Sequence, residues 1–361
     1  MSDQTQNRNG PAEFEKVLTT AATDVASFDE DHKSPLRRLQ HFLHANPTSI
    51  PIIVLILGII GFGLYCEYIG RSFFALSNFG FIVQQVTVVS ILAIGQTLVI
   101  MTAGIDLSIG VIMVLSHIVM GKLAIDSGVP VPIAFALGLV CGTACGLLNG
   151  ALITYLQLPP FIATLGTWNI FNSILITYSK SQTIRSDDLD ATAPFLKFMG
   201  TPFLADLFTY GAILALFVAA CIWYVMNRTA FGRHVLATGD DTEAARLAGI
   251  RTDRTLLATY AVAGFIAAVA GWALVGRVGA VSPNSAQTAN LDSITAVVIG
   301  GTSLFGGRGS IVGTLVGALI VGVFSSGTKL ANLGNVGQIF AVGCLIIIAV
   351  AIDQWIRKVS A

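Results

Sequence analysis

The chain has 361 residues, of which 54% are hydrophobic and only 11% charged, with 20 basic side chains balancing 20 acidic ones. Soluble domains carry about 25% charged residues, so this chain cannot cover itself with a polar surface and reads as an integral membrane protein. Zero net charge argues against a nucleic-acid partner.

Residues 1–49 form a hydrophilic tail with no early apolar core and no small-residue cleavage site, so a cleaved signal peptide is not expected. Within it, "PLRRLQHFL" sets Leu36, Leu39 and Leu43 on one helical face with Arg37 and Arg38 opposite. A short helix on the membrane surface and a basic flank that only fixes orientation both fit.

Residues 50–355 read as a transmembrane domain of roughly ten crossings. The candidates are 50–66, 79–101, 105–123, 132–156, 160–178, 205–226, 255–275, 291–305, 310–327 and 336–353. Glycines and polar residues interrupt the third and the eighth. Alternating ten-residue barrel segments are absent, so the fold class is all-α, with some helices broken at glycine. The five cysteines, Cys66, Cys141, Cys145, Cys221 and Cys344, lie in or beside these apolar runs without a CxxC pair. They read as buried thiols, and no metal site is expected.

Basic residues cluster before the first span, in the 227–254 loop, at Arg308 and at Arg357–Lys358. The positive-inside rule places all of them in the cytoplasm. Both termini then lie inside, including a short tail at 356–361, and 179–204 becomes one sizeable external loop. Such a loop is either functional or disordered.

Glycines are ordered in two places. Gly142, Gly146 and Gly150 form one GxxxGxxxG ladder and Gly309, Gly313 and Gly317 another, a spacing that lets a second helix approach closely. "GGTSLFGGRGS" (300–310) has the glycine separation of a phosphate loop. Gly307 and Arg308 stand where that loop requires Lys and Ser or Thr, so no ATP site is expected in this chain.

"TAGIDLSIG" holds one acid, Asp106, between apolar helices. It caps a helix beginning at Leu107, lines a translocation path, or couples to protons. On the fifth span Thr164, Thr167, Trp168 and Asn172 offer hydroxyls, an amide and a ring on neighbouring positions. That chemistry suits a neutral polyol, and it equally suits bonds between helices. Gln84, Gln96 and Asn149 are weaker candidates of the same kind.

"DDTEAARLAGI" reads as a short cytoplasmic helix with an acidic N-cap and Gly249 as terminator. A helix of one to two turns is not stable alone, so it must dock on a partner, and Glu243, Ala244, Ala245, Arg246 and Gly249 are its candidate contacts. Here the sequence resembles the membrane permease subunits of bacterial ABC sugar importers of the ribose, xylose, arabinose and fructose type, with the fructose branch nearest. "TEAARLAGI" looks like the family's coupling helix. "TAGIDLSIG", "LPPFIATLGT", "FGRHVLATGDDTEAARLAGI" and "DSITAVVIGGTSLFGGRGSIVGTLVGALIVG" resemble family blocks in the same order. The resemblance implies a homodimeric pore in the inner membrane, separate ATPase subunits that use ATP and magnesium, and a periplasmic sugar-binding protein. A self-sufficient sugar transporter or facilitator is the alternative.

Overall fold

The computed structural model describes residues 49–203 and 207–360. The amphipathic stretch at 36–43 lies outside them. Beyond one two-stranded pairing, the regular structure is helical, as a chain in hydrocarbon requires when each backbone N–H and C=O must find an internal partner.

The helices are α1 (Ser49–Tyr68), α2 (Leu76–Met101), α3 (Ile109–Ile125), α4 (Val131–Tyr155) and α5 (Pro160–Ser179), then two short turns, α6 (Ser186–Thr192) and α7 (Pro194–Lys197). They continue with α8 (Tyr210–Arg228), α9 (Ala230–Asp240), α10 (Thr242–Leu247), α11 (Thr252–Val278), α12 (Ala289–Ile299), α13 (Ile311–Leu330) and α14 (Gly334–Ser360). The strands β1 (Pro202–Phe203) and β2 (Phe208–Thr209) pair antiparallel, Pro202 opposite Thr209. Prolines open α4 and α5 within the first two positions, where a fixed φ costs nothing. Ser310 caps α13 by accepting a bond from the Gly313 N–H.

Among the described residues six helices, α1, α2, α4, α8, α11 and α13, are long and apolar enough to cross a membrane. Burial sorts them. The most apolar windows of α2, α11 and α13 are 83%, 67% and 72% buried, against 22% each for α1, α4 and α8. The first three form the core and the others present leucine, isoleucine and aromatic side chains outward, as lipid-facing helices do.

Several boundaries differ from the sequence reading. The eighth span is not a span: α12 has 11 residues, about 16 Å of rise, and ends at Gly300 instead of reaching 305. α3 has 17 residues and begins at Ile109, after an irregular link at 102–108. The 227–254 loop holds two helices, α9 and α10, where one was expected. α14 continues helical through Ser360, past the end of the tenth candidate at 353. Gly309 precedes the Ser310 cap and is therefore off the helix, packed on Met101 and Thr302. Gly313 and Gly317 alone face α12, against Gly300 and Ala296.

The first ladder is the main seam of the bundle. Gly142 lies against Gly264, Gly146 against the Tyr260 carbonyl and Gly150 against Leu257, so α4 and α11 meet backbone to backbone. Leu257 lies in the second turn of α11, so the end of α4 and the starts of α5 and α11 share one end of the bundle. Ile184 pairs with Val281 as an isolated bridge, so the 179–203 segment and the end of α11 share the other. That segment is an ordered cap. Leu189 and Leu196 are fully buried, and Phe195 stacks on Trp272 at 5.1 Å. Lys197 pairs with Asp190 at 2.6 Å, and that ammonium holds the Asp190 carboxyl below the usual range.

Candidate translocation path and docking helix

The irregular link between α2 and α3 gathers buried polar groups from several helices. Asp106 is 1% exposed, and one of its carboxylate oxygens accepts bonds from the Ser108 N–H and hydroxyl, both at 2.7 Å. It braces the turn that leads into α3, which begins at Ile109 after the N-cap Ser108, two residues later than a helix beginning at Leu107. Asn149 of α4 donates to the Ser108 hydroxyl at 2.7 Å. Asn290 of α12 donates to the Leu107 carbonyl at 2.6 Å and accepts from the Gly110 N–H. Thr164 of α5 donates to the Ile105 carbonyl at 3.0 Å and accepts from the Leu107 N–H at 3.2 Å. Three helices, α4, α5 and α12, are thus tied to one link, and the shared partners explain why buried hydroxyls and amides are needed there.

These bonds redistribute the sequence candidates. Thr164 and Thr167 are buried, the latter donating to the Thr164 carbonyl at 3.2 Å. Trp168 is half-buried against the core and Asn172 half-buried beside it. The exposed face of α5 lies one step round, with Gly166, Asn169, Ser173 and Thr177 in a stripe at spacings of three and four. A Cβ added at Gly166 would meet nothing within 4 Å. An amide and two hydroxyls at membrane depth are costly against lipid and normally face protein or a water-filled cavity. The sequence reading missed this stripe because every α5 face holds a polar residue and hydropathy carries no rotation.

At the other functional element, Asp241 caps α10, accepting from the Glu243 and Ala244 N–H groups at 2.9 and 3.0 Å. Gly249 takes the left-handed conformation at φ 85°, which ends the helix as glycine allows. The candidates then divide. Ala245 is buried against its own chain. Arg246 is engaged with Asp253 at 3.1 Å and Thr252 at 3.1 Å. Glu243 and Ala244 are exposed. Leu247, absent from the sequence candidates, is 88% exposed and forms an apolar face with Ala244 and Ala248 at three- and four-residue spacing. The signal was present as a leucine in an otherwise polar loop.

α10 follows α9 after one residue, and α9 ends in a three-way backbone contact. Gly239 lies against the Met101 carbonyl and Gly307, Gly306 against the Gly239 carbonyl and Ala103, and the Gly307 N–H bonds the Met101 carbonyl at 3.0 Å. Any side chain at Gly239 would force these segments apart. α9, which α10 follows after one residue, is therefore in backbone contact with Met101, and through Gly306 its end packs on Ala103 of the 102–108 link.

The family described as branched-chain amino acid transport system permease components matches residues 78–349. The chain belongs to this permease family. It is a multi-pass membrane protein and a transport subunit. It is 52% identical over 351 residues to the fructose import permease FrcC of Rhizobium meliloti, covering 97% of each chain. It is 35% identical over 313 residues to the ribose import permease RbsC of Bacillus subtilis, covering 84% of this chain and 92% of that one. To the D-allose transport permease AlsC of Escherichia coli K12 it is 33% identical over 307 residues, covering 85% and 91%. The family description speaks of amino acids, whereas these three relatives are named for monosaccharides. No solved structure matches the chain.

Proposed function

We propose that this chain is the pore-forming permease subunit of an ATP-driven importer carrying a monosaccharide, D-fructose first, across the inner membrane. The observation that carries this reading is the 52% identity with a fructose import permease over 97% of both chains. The chain works as a homodimer whose two α5 stripes face a shared aqueous path, which gives Asn169, Ser173 and Thr177 something other than lipid to face. Trp168 and Asn172 border that path, while Asp106, Thr164 and Thr167 fix its base. A periplasmic binding protein delivers sugar at the 179–203 end. The ATPase subunit, which handles ATP and magnesium, seats on Ala244, Leu247 and Ala248 of α10.

The contacts supply a transmission route. Closure of the ATPase pair displaces α10, and α9 carries that displacement to Met101 and Gly306–Gly307. The 102–108 link moves with them, and Thr164 passes the motion to the base of α5. This chain holds no nucleotide; its part is to convert a push at one end into a tilt at the path.

Uptake of labelled D-fructose by membranes containing this chain, an ATPase subunit and a binding protein tests the reading. ATP-dependent uptake is expected, and uptake that proceeds equally without ATP overturns it. Leu247→Asp removes the apolar contact at the proposed seat. Burial of a leucine contributes about 1.5–3 kcal/mol, so ATPase copurification should fall at least tenfold while the amount of folded permease stays level. Unchanged copurification moves the seat elsewhere. Orientation is checked with single cysteines: Asp188→Cys reacts with an impermeant thiol reagent from outside, Ala248→Cys from the cytoplasm alone.

A further inference from the structure

At the end of the bundle away from α10, a cavity of about 580 Å³ opens between the last turns of α3 and α5. Small-molecule sites fall in the range of roughly 300–1,000 Å³. Its lining includes Lys122, Asp126, Ser173, Thr177, Tyr178 and Lys180. The Lys122 ammonium pairs with the Asp126 carboxylate at 2.7 Å. Lys122 is only 9% exposed, while Asp126 is exposed. The pair offers a donor and an acceptor side by side, the pattern that two neighbouring hydroxyls of a sugar satisfy together. Tyr178 adds a partly exposed ring. Ser173 and Thr177 belong at once to this cavity and to the exposed α5 stripe.

We infer that this cavity is the subsite where the permease first receives the sugar, before it moves along α5 toward Asn169. The inference rests on the import reading above and adds a place and a chemistry to it. A neutral polyol fits: it bonds both members of the ion pair without separating them, whereas an anion would compete with Asp126 for Lys122 and a cation with Lys122 for Asp126. A docked protein segment is the competing occupant.

The test uses Ser173→Cys in full-length chain whose five native cysteines are replaced by serine or alanine. Labelling by an impermeant maleimide is followed with D-fructose, with a disaccharide, and with sugar-free binding protein. Slower labelling with D-fructose alone is expected. Protection by the binding protein but not by D-fructose would overturn the inference in favour of a docking face, and no protection by either overturns it as well. Should the cysteine-free chain not fold, Asp126→Asn and Asp126→Glu in the native background read the same point through uptake kinetics. Losing one acceptor bond raises KM for import by about five- to tenfold, with maximal uptake little changed, and Glu recovers most of it. A fall in maximal uptake and folded protein with KM unchanged makes the pair a structural tie only. Wild-type uptake in the same series reports on the import reading by itself: its failure is seen without any variant, and failure of the subsite is seen only with them.

Discussion

Gly146→Leu leaves less than about a tenth of the wild-type amount of folded protein in the membrane. A Cβ at this position would run into the Tyr260 carbonyl and come 3.1 Å from the Gly264 Cα. Overpacking usually costs about 1–3 kcal/mol because side chains shift into new rotamers. Here the obstacle is backbone, which has no rotamer to change, so α4 and α11 must separate along their whole seam. Gly142 meets Gly264 and Ala268 on the same line and Gly150 meets Leu257, so separation at the centre loses contact at both ends. Total stability of a domain is only about 5–15 kcal/mol, and a lost central seam consumes much of that. Gly61→Leu on α1 is the comparison, since nothing lies within 4 Å of its Cβ. The measurement is the monodisperse fraction by size-exclusion chromatography after solubilisation. Equal yields from the two variants would show that the α4–α11 seam is not what holds the bundle.

That seam also shows what the sequence can and cannot disclose. GxxxGxxxG spacing is a one-dimensional record of a flat helix face, so Gly142, Gly146 and Gly150 were legible without coordinates. The same spacing at Gly309, Gly313 and Gly317 misled for its first member, because Ser310 starts the helix one residue later and spacing alone does not mark where a helix begins. Apolar windows located the ten long or shorter helices that make up the bundle, since in lipid an apolar run has one stable conformation. They overextended the eighth, because Leu304 and Phe305 keep the average apolar after Gly300 and Gly301 have ended α12. α9 was passed over for the opposite reason. Its buried residues Gly232, Val235, Thr238 and Gly239 follow helical spacing, but two are glycines and one is a threonine, and hydropathy gives such a face little weight.

The path was the least legible part. Thr164 and Thr167 offer the same chemistry as Ser173 and Thr177, and only the fold tells that Thr164 is spent on the 102–108 link and Thr167 on the Thr164 carbonyl. Polar groups inside a membrane protein either bond to a neighbouring helix or face water, and which they do depends on a rotation about the helix axis that composition does not encode. Asp106 shows the same limit. From the sequence its carboxylate fits a cap, a path or a proton site alike, and only the fold shows Ser108 taking one of its oxygens twice in a buried turn.

Gly166→Phe separates path from scaffold. No atom lies within 4 Å of a Cβ built at Gly166, so within one protomer the ring has room, and the folded yield should match wild type. The glycine is therefore not needed for packing inside the chain, unlike Gly146. If the α5 stripe lines the path, a phenyl ring one turn from Asn169 narrows it where both copies converge. D-fructose uptake then falls by more than about tenfold, while assembly with the ATPase subunit persists, because α10 is untouched. Gly166→Ala adds a single methyl group and should lower uptake only a few-fold, so the series reports size rather than the mere loss of glycine. Asn169→Leu supplies the chemical counterpart. It keeps the branched outline of asparagine but removes an amide exposed on the stripe, and a lost hydrogen bond of about 0.5–1.5 kcal/mol lowers the uptake rate by about two- to tenfold. Lipid contact predicts the reverse for this last variant, since leucine is more favourable than asparagine in hydrocarbon and uptake would be unharmed or improved. Full uptake by both Gly166→Phe and Asn169→Leu places the stripe against lipid and removes α5 from the path.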